Sequence, residues 1–343
     1  YTGYTHLMEN VGQTSNRGVE LSLTGYIIDR PDFTLNATFN IGRNKNKIDK
    51  LASGEKEMVL SSGWAGSQLL NSDDYRAYVG GTTGLIYGFV NDGFYTVDDF
   101  KPFDSKSRTW TLKDGVVNSS PLSGDPRPGN AKFKKLTPVD ENSANPYTLT
   151  DDDRTVIGNT TPKFSGGFGL NATFKGFDVS AFFNFMYDFD VFNANKVMMT
   201  TWASNNYNNF SMDISAAKRW RNFDDMGNEI RYSPEILAEF NKNATMWNPT
   251  SIGRPIAMSY AVEDGSFLRL NTATIGYTLP RVWTNQVGLS RVRFYASGYN
   301  LFTITGYSGY DPEVDIATGL TPNIDNNRYP RSRTYTFGVQ LTF

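Results

Sequence analysis

The sequence contains no cysteine and a single histidine, His6. The first absence excludes disulfides, thiolate metal sites and thiol nucleophiles. The second leaves no histidine cluster for a metal, and a Ser-His-Asp triad could be built only through His6. No run of about 18 apolar residues occurs, so no helix is expected to span a bilayer. An excess of one charge is also missing. The 33 basic and 35 acidic residues leave −2 over 343 residues, which offers nucleic acid no basic surface. Heptads, solenoid repeats and low-complexity tracts are absent. Tyr1–His6 carries neither a basic stretch nor an apolar one, so the start reads as a mature end or a cut.

What the chain does have is 24 Phe, 19 Tyr and 6 Trp beside 31 Gly, with only 39% hydrophobic residues. That mixture suits thin, alternating, aromatic-rich strands. Period-two alternation is the recurring pattern. Tyr335, Phe337, Val339, Leu341 and Phe343 alternate with Thr, Gly and Gln. Phe33, Leu35, Ala37, Phe39 and Ile41 alternate with Thr and Asn, and 164–174 and 177–187 repeat the pattern. A soluble antiparallel sheet alternates too, with one face in water. Here the polar faces hold Thr, Ser, Asn and Gly rather than Lys and Glu. The runs also reach about ten residues, enough to cross a bilayer at a tilt, whereas soluble strands peak near five or six.

Link lengths carry the reading further. Tight turns are predicted at Asp29–Asp32, Gly80–Gly84 and Lys175–Asp178, with a moderate link around Pro280–Trp283. Between them lie the long segments 44–73, 97–161, 191–264 and 305–331. Short and long links alternate, as in outer-membrane barrels with short periplasmic turns and long external loops. The count is about nine strands. An odd antiparallel set does not close on itself without a parallel seam, so the chain is expected to be part of a larger barrel, its first strand pairing with strands outside it. The fold class is therefore all-β, an antiparallel transmembrane barrel segment.

A set of ordered motifs carries a family resemblance. They are Asn16-Arg17-Gly18-Val19-Glu20-Leu21, Tyr87-Gly88-Phe89-Val90-Asn91-Asp92-Gly93-Phe94-Tyr95 and Asp153-Arg154-Thr155-Val156-Ile157-Gly158-Asn159. After Lys175-Gly176-Phe177-Asp178 come Glu263-Asp264-Gly265-Ser266-Phe267-Leu268-Arg269-Leu270, Gly298-Tyr299-Asn300-Leu301-Phe302 and Tyr307-Ser308-Gly309-Tyr310-Asp311-Pro312-Glu313. In order and spacing they resemble the C-terminal barrel portion of a SusC/RagA-like TonB-dependent outer-membrane transporter. The resemblance implies a plugged barrel of about 22 strands, with the plug and N-terminal strands outside residues 1–343. It implies import driven by TonB, a SusD-like surface lipoprotein as lid, and oligosaccharide or peptide cargo, in the outer membrane of a Gram-negative bacterium. It also implies no enzyme activity and no cofactor. Many relatives carry an acidic, calcium-like loop before the Asp-Arg-Thr motif. Val139–Asn145 lacks that ligand spacing, so no metal is carried over.

Other signals have plainer readings. Gly167-x-Gly169-x-x-Ala172 fits a dinucleotide fingerprint, yet its glycines lie inside an alternating strand. Ser53-x-x-Lys56 and Ser215-x-x-Lys218 lack the partner motifs of acyl enzymes. Asp151-Asp152-Asp153 could ligate calcium, but three consecutive carboxylates on an extended chain diverge, which favours a solvated loop. His6 reads as a loop residue. In 191–264, Trp202, Tyr207, Trp220 and Trp247 among many Asn and Asp residues could stack on cargo. The alternative is that these rings form the segment's own core, packed by short helices at 211–219 and 234–240. Tyr277, Trp283 and Tyr299 are expected as interface-girdle anchors. In 177–187, Asp178, Ser180, Asn184, Phe182 and Met186 are placed inward, where Asn184 and Asp178 could touch cargo or plug. Two other classes fit the same alternation: a soluble all-β carbohydrate-binding module, and a structural barrel or adhesin that displays loops.

Overall fold

The structure is a computed structural model and describes residues 12–51, 54–71, 73–201, 209–314 and 319–343. Its largest element is one seven-stranded antiparallel sheet, each strand beside the next in chain order. The strands are β1 (Gly12–Arg30), β2 (Phe33–Leu51), β3 (Phe164–Phe174), β4 (Phe177–Tyr187), β5 (Phe267–Thr278), β6 (Arg291–Thr305) and β7 (Thr334–Thr342). Register carries the alternation across the whole sheet. One row reads Leu23, Phe39, Phe168, Phe183, Leu270, Phe302, and another Leu35, Ala172, Val179, Ile275, Ala296, Phe337. On the opposite face one row reads Asn36, Asn171, Ser180, Thr274, Ser297, Thr336. Its members bond across strands, as in Asn171 Nδ2 to Asn36 Oδ1 at 3.0 Å. Strict alternation on every strand forces this two-faced sheet, because side chains of paired residues share a face.

The apolar face packs against nothing among the described residues. Phe337 is 80% exposed and Leu170 42%, and no core cluster includes the apolar-face rows. A water-facing sheet with this pattern would collapse or aggregate, whereas a lipid-facing one requires it.

Short links do what the chain predicted. Pro31–Asp32 joins β1 to β2 and Lys175–Gly176 joins β3 to β4. The latter is a two-residue turn with φ of 45° and 90°, the geometry that matches strand twist. Gly176 has a further reason to be glycine: a Cβ there would stand 2.9 Å from the carbonyl oxygen of Thr278. Beyond Gly42 the alternation of β2 gives way to Arg43, Lys45 and Lys47, so the β1–β2 hairpin runs past the apolar band.

Two of the expected strands are not in this sheet. Tyr75–Tyr78 and Leu85–Gly88 are four residues each, too short to cross a bilayer, and join Glu57–Leu60 and Thr155–Asn159 in a separate four-stranded sheet. Tyr75 and Ile86 are buried in a compact core, as in a soluble domain. The Gly80–Gly84 turn accordingly lies at the long-loop end. Ile48 N donates to Gly81 O and Gly80 N to Ile48 O, both at 2.8 Å, and Ile48 is at the far end of β2 from Pro31. Segments 44–73 and 97–161 thus belong mostly to one excursion, 52–163. That excursion packs with 188–266 and 306–333 into a single block on the long-loop side.

Hydrophobic burial concentrates in this block. Its core joins Tyr75, Phe133, Phe192, Trp247, Met258 and Ile324, drawn from all three excursions. A parallel bridge from Asp190–Asn193 to Ile324–Asp325 ties the second excursion to the third.

Candidate cargo-facing surface

On the polar face, Asn184 shares a row with Gly167 and Arg269. Its Oδ1 is buried without a hydrogen-bond partner among the described residues. Phe182 and Met186 lie on the same face. The Phe182 ring covers Gly167 and Gly169, since a Cβ at Gly167 would stand 2.9 Å from the ring. That close approach explains the Gly-x-Gly of the strand and leaves it no role in phosphate binding.

Asp178 is also on this face but is occupied. The Arg293 guanidinium reaches from β6 over Gly276 of β5 to pair with it, Nε donating at 2.9 Å. A Cβ at Gly276 would stand 2.5 Å from that guanidinium. Asp178 therefore ties three strands together near the short-link end. Tyr299 pairs with Thr272 and Thr334, which puts it on the polar face and not in a lipid girdle. Tyr277 does share the apolar face with Phe177 and Phe294, and Trp283 in the short link is 58% exposed.

The tryptophans of the second excursion are corrected by their burial. Trp247 is 2% exposed, donates Nε1 to Thr200 O at 3.3 Å and packs edge-on to Tyr260. Trp220 is 3% exposed, edge-on to Phe94 and closely covered by Gly129. Rings with covered faces cannot stack on cargo, so these two form the block's own core. Helix Pro234–Asn241 packs on the second of them through Leu237, while 211–219 holds only a single turn, Met212–Ile214. Trp202, Tyr207, His6 and Ser53 lie outside the described residues.

Two motifs of the chain, Glu263–Leu270 and Tyr307–Glu313, meet in the fold. Arg269 of the first, 1% exposed, pairs with Asp311 at 2.6 Å and with Glu313 at 3.2 Å in the second. Glu263 accepts from Ser308 N at 3.0 Å and Ser308 Oγ at 2.8 Å, and pairs with Lys196 at 3.4 Å. Tyr307 donates to Asp325 Oδ2 at 2.7 Å, and burial, then that carboxylate, push its phenol well above the usual range. The only sequence signal was complementary charge, one Arg in the first motif against two acids in the second. This network folds the third excursion over the long-loop end of the sheet. Beside it opens a cleft of about 640 Å³ lined by Asn193, Asn195, Lys196, Tyr310 and Tyr329. The two tyrosines are 86% and 92% exposed.

The Asp-Arg-Thr motif is not a solvated loop at its third carboxylate. Asp153 is fully buried and accepts from Leu136 N, Thr137 N, Thr137 Oγ1 and Thr150 N at 2.7–2.9 Å. Burial pushes its pKa up, but these donors outweigh it and hold the group at about 2. Asp151 instead accepts from Asn71. The consecutive carboxylates thus serve separate partners.

No family model matches the chain. It is 30% identical over 349 residues to TonB-dependent receptor P3 of Formosa agariphila, covering 100% of this chain and 30% of that protein. It is 24% identical over 344 residues to TonB-dependent receptor SusC of Bacteroides thetaiotaomicron, covering 98% of this chain and 27% of that one. Its fold matches the RagAB peptide transporter with a TM-score of 0.68 at 22% identity, over 100% of this chain and 31% of that one. The chain spans less than a third of the length of these proteins. Along its whole length, and with a sheet that carries one lipid-type face, the chain is similar to TonB-dependent receptors and shares the fold of the barrel they form.

Proposed function

We propose that this chain is the C-terminal barrel portion of an importer in the outer membrane of a Gram-negative bacterium. It takes up oligosaccharides or peptides under TonB control, with a SusD-like lipoprotein as lid. The observation that carries the reading is the division of the molecule: a sheet with an apolar face that nothing covers among the described residues, and a packed block at one end of it. Such a sheet suits lipid, and such a block suits contact with a lid and cargo. The plug and the remaining strands would be supplied from outside these residues. Asn184, on the polar face, and the cleft beside Tyr310 and Tyr329 are the groups proposed to meet cargo. The reaction is transport, with binding by hydrogen bonds and stacking and no bond made or broken.

The test is deletion of the gene followed by growth on oligomers and on the corresponding monomers. Loss of growth on one oligomer class alone is the expected result, and unchanged growth on every oligomer would overturn import. Footprinting with the lid present should protect the block. Protection at Arg30 and Lys175 instead would reverse the proposed orientation.

A further inference from the structure

The block contains a second cleft, formed between its first and second excursions. It has two chambers of about 480 and 440 Å³ that share Asn222, Arg231, Asn248 and Thr250. Arg108, Arg127, Arg219, Arg221 and Arg231 line it, no lysine does, and its acids are Asp125 and Asp224. With Asp225 and Glu229, which pair with two of these arginines, five cations face four acids, a local excess of one positive charge in a chain whose net charge is −2.

Several of these groups are already engaged. Asp224 accepts from the backbone of Met226 and Asn228. Arg221 pairs with Asp225, Arg231 with Glu229, and Arg219 donates to Ile214 O. Arg108 and Arg127 enter no ion pair or side-chain hydrogen bond among the described residues. Arg108 stands at φ 55° at the end of the Asp104–Thr109 turn, its guanidinium 5.1 Å over the Tyr232 ring. Asn248 spends its carbonyl oxygen on Thr250 N and Oγ1, which leaves its amide hydrogens unspent. The unspent groups are thus mainly donors, two of them forked and cationic.

In the first chamber, which Arg108 and Arg127 line, the aromatic rings are packed: Tyr232 meets Arg108 and Phe103, and Trp110 packs on Phe100 and Phe103. The exposed rings of the cleft, Phe210 and Phe223, line the second chamber. Guanidinium groups match planar carboxylates in bidentate fashion, and a donor-rich site suits an acceptor-rich ligand.

We propose that this cleft binds the aspartate or glutamate side chains of a peptide cargo, with Arg108 and Arg127 as the carboxylate clamps. The proposal rests on the import reading and adds the charge class of the cargo.

The test uses the whole receptor in detergent and two labelled peptides of one length, one alternating Glu with Ser and the other Gln with Ser. Fluorescence anisotropy at low ionic strength should show the glutamate peptide bound at least about tenfold more tightly. The Arg108→Gln/Arg127→Gln variant should bind both peptides alike, with affinity for the glutamine peptide unchanged. Both side chains are at the surface, and unaltered heat-modifiable migration of the variant checks its folding. Equal binding of the two peptides by the parent, or a glutamate preference that survives in the variant, overturns the proposal. Tighter binding of an oligogalacturonide at matched charge also overturns it, by assigning the cleft to acidic sugar. Selection of the glutamate peptide by a receptor that supports growth on no oligomer would sink import and leave the cleft standing. Uptake of peptides regardless of charge would do the reverse.

Discussion

The seven-stranded sheet and the block above it invert each other. In the sheet, Phe337, Ile275 and Val19 are exposed and the polar rows bond among themselves. In the block, Phe133, Trp247 and Ile252 are buried and the buried charged groups are held in ion pairs or by hydrogen bonds. The same residue types therefore do opposite work within one chain. What differs is the solvent each region is built for, lipid against one face of the sheet and water around the block. Strand length follows from this as well. The sheet strands run 9–19 residues, and the strands of the block 2–5, because only the former have a bilayer to cross.

The comparison can be broken hardest at the tie between the two regions. Replacing Arg269 with Met leaves Asp311 without its cation and Glu313 with Arg331 alone, expected to cost about 3–5 kcal/mol. The third excursion should then become protease-sensitive while heat-modifiable migration of the barrel persists. Loss of both together would show that sheet and block are one folding unit.

A direct contrast comes from truncating one ring in each region. Trp247→Ala should cost the block about 3–5 kcal/mol through the cavity it opens. Phe337→Ala should do far less, since lipid refills the space, whereas Phe337→Lys should cost about 2–4 kcal/mol near the bilayer midplane. Urea titration in vesicles, read by tryptophan fluorescence for the block and by migration for the sheet, checks all three. A mild Phe337→Lys would deny the sheet its lipid face.

Acid should act on the block before the sheet. Asp153 is held at about 2 against an ordinary 3.8. Its contribution is complete above pH 3.8 and is lost as pH falls through about 2. That is worth about 2 kcal/mol, and Asp153→Asn should remove most of this pH dependence. Urea midpoints of the block at pH 5 and pH 2.5 would measure it, and an identical slope in the variant would refute the assignment.

The smallest expected effect lies in the β3–β4 turn. Gly176→Ala meets the Thr278 carbonyl and a φ of 90°, and should cost about 1–2 kcal/mol in the sheet with no change in the block. Hydrogen exchange at Phe174 and Phe177 would report it.

How far these regions were legible in the sequence differs for a physical reason. Side-chain alternation is a local property, so the alternating runs 164–174 and 177–187 could be read along the chain, with a tight turn at Lys175–Asp178 between them. The same rule misplaced Tyr75–Tyr78, which alternates over four residues as a crossing strand would, and Leu85–Gly88, which is buried on both faces and carries no period of its own. Tyr299 was misassigned for a different reason: its aromatic character suggested a girdle, whereas it lies two residues beyond Ser297 and so shares that residue's polar face.

The sequence by itself determined the lipid-type sheet, its short links at Asp29–Asp32 and Lys175–Asp178, and the motifs that resemble those of TonB-dependent receptors. Those are written in neighbouring residues and in spacing along the chain. Only the tertiary structure decided that Trp220 and Trp247 are core, that Asp178 belongs to Arg293, and that Arg269 holds Asp311 and Glu313. It also gathered Arg108, Arg127 and Arg231 into one cleft. Each of these depends on which distant segments meet. That outcome is set by the joint packing of three excursions, whose contacts span up to about 260 positions, and no periodicity along the chain encodes it.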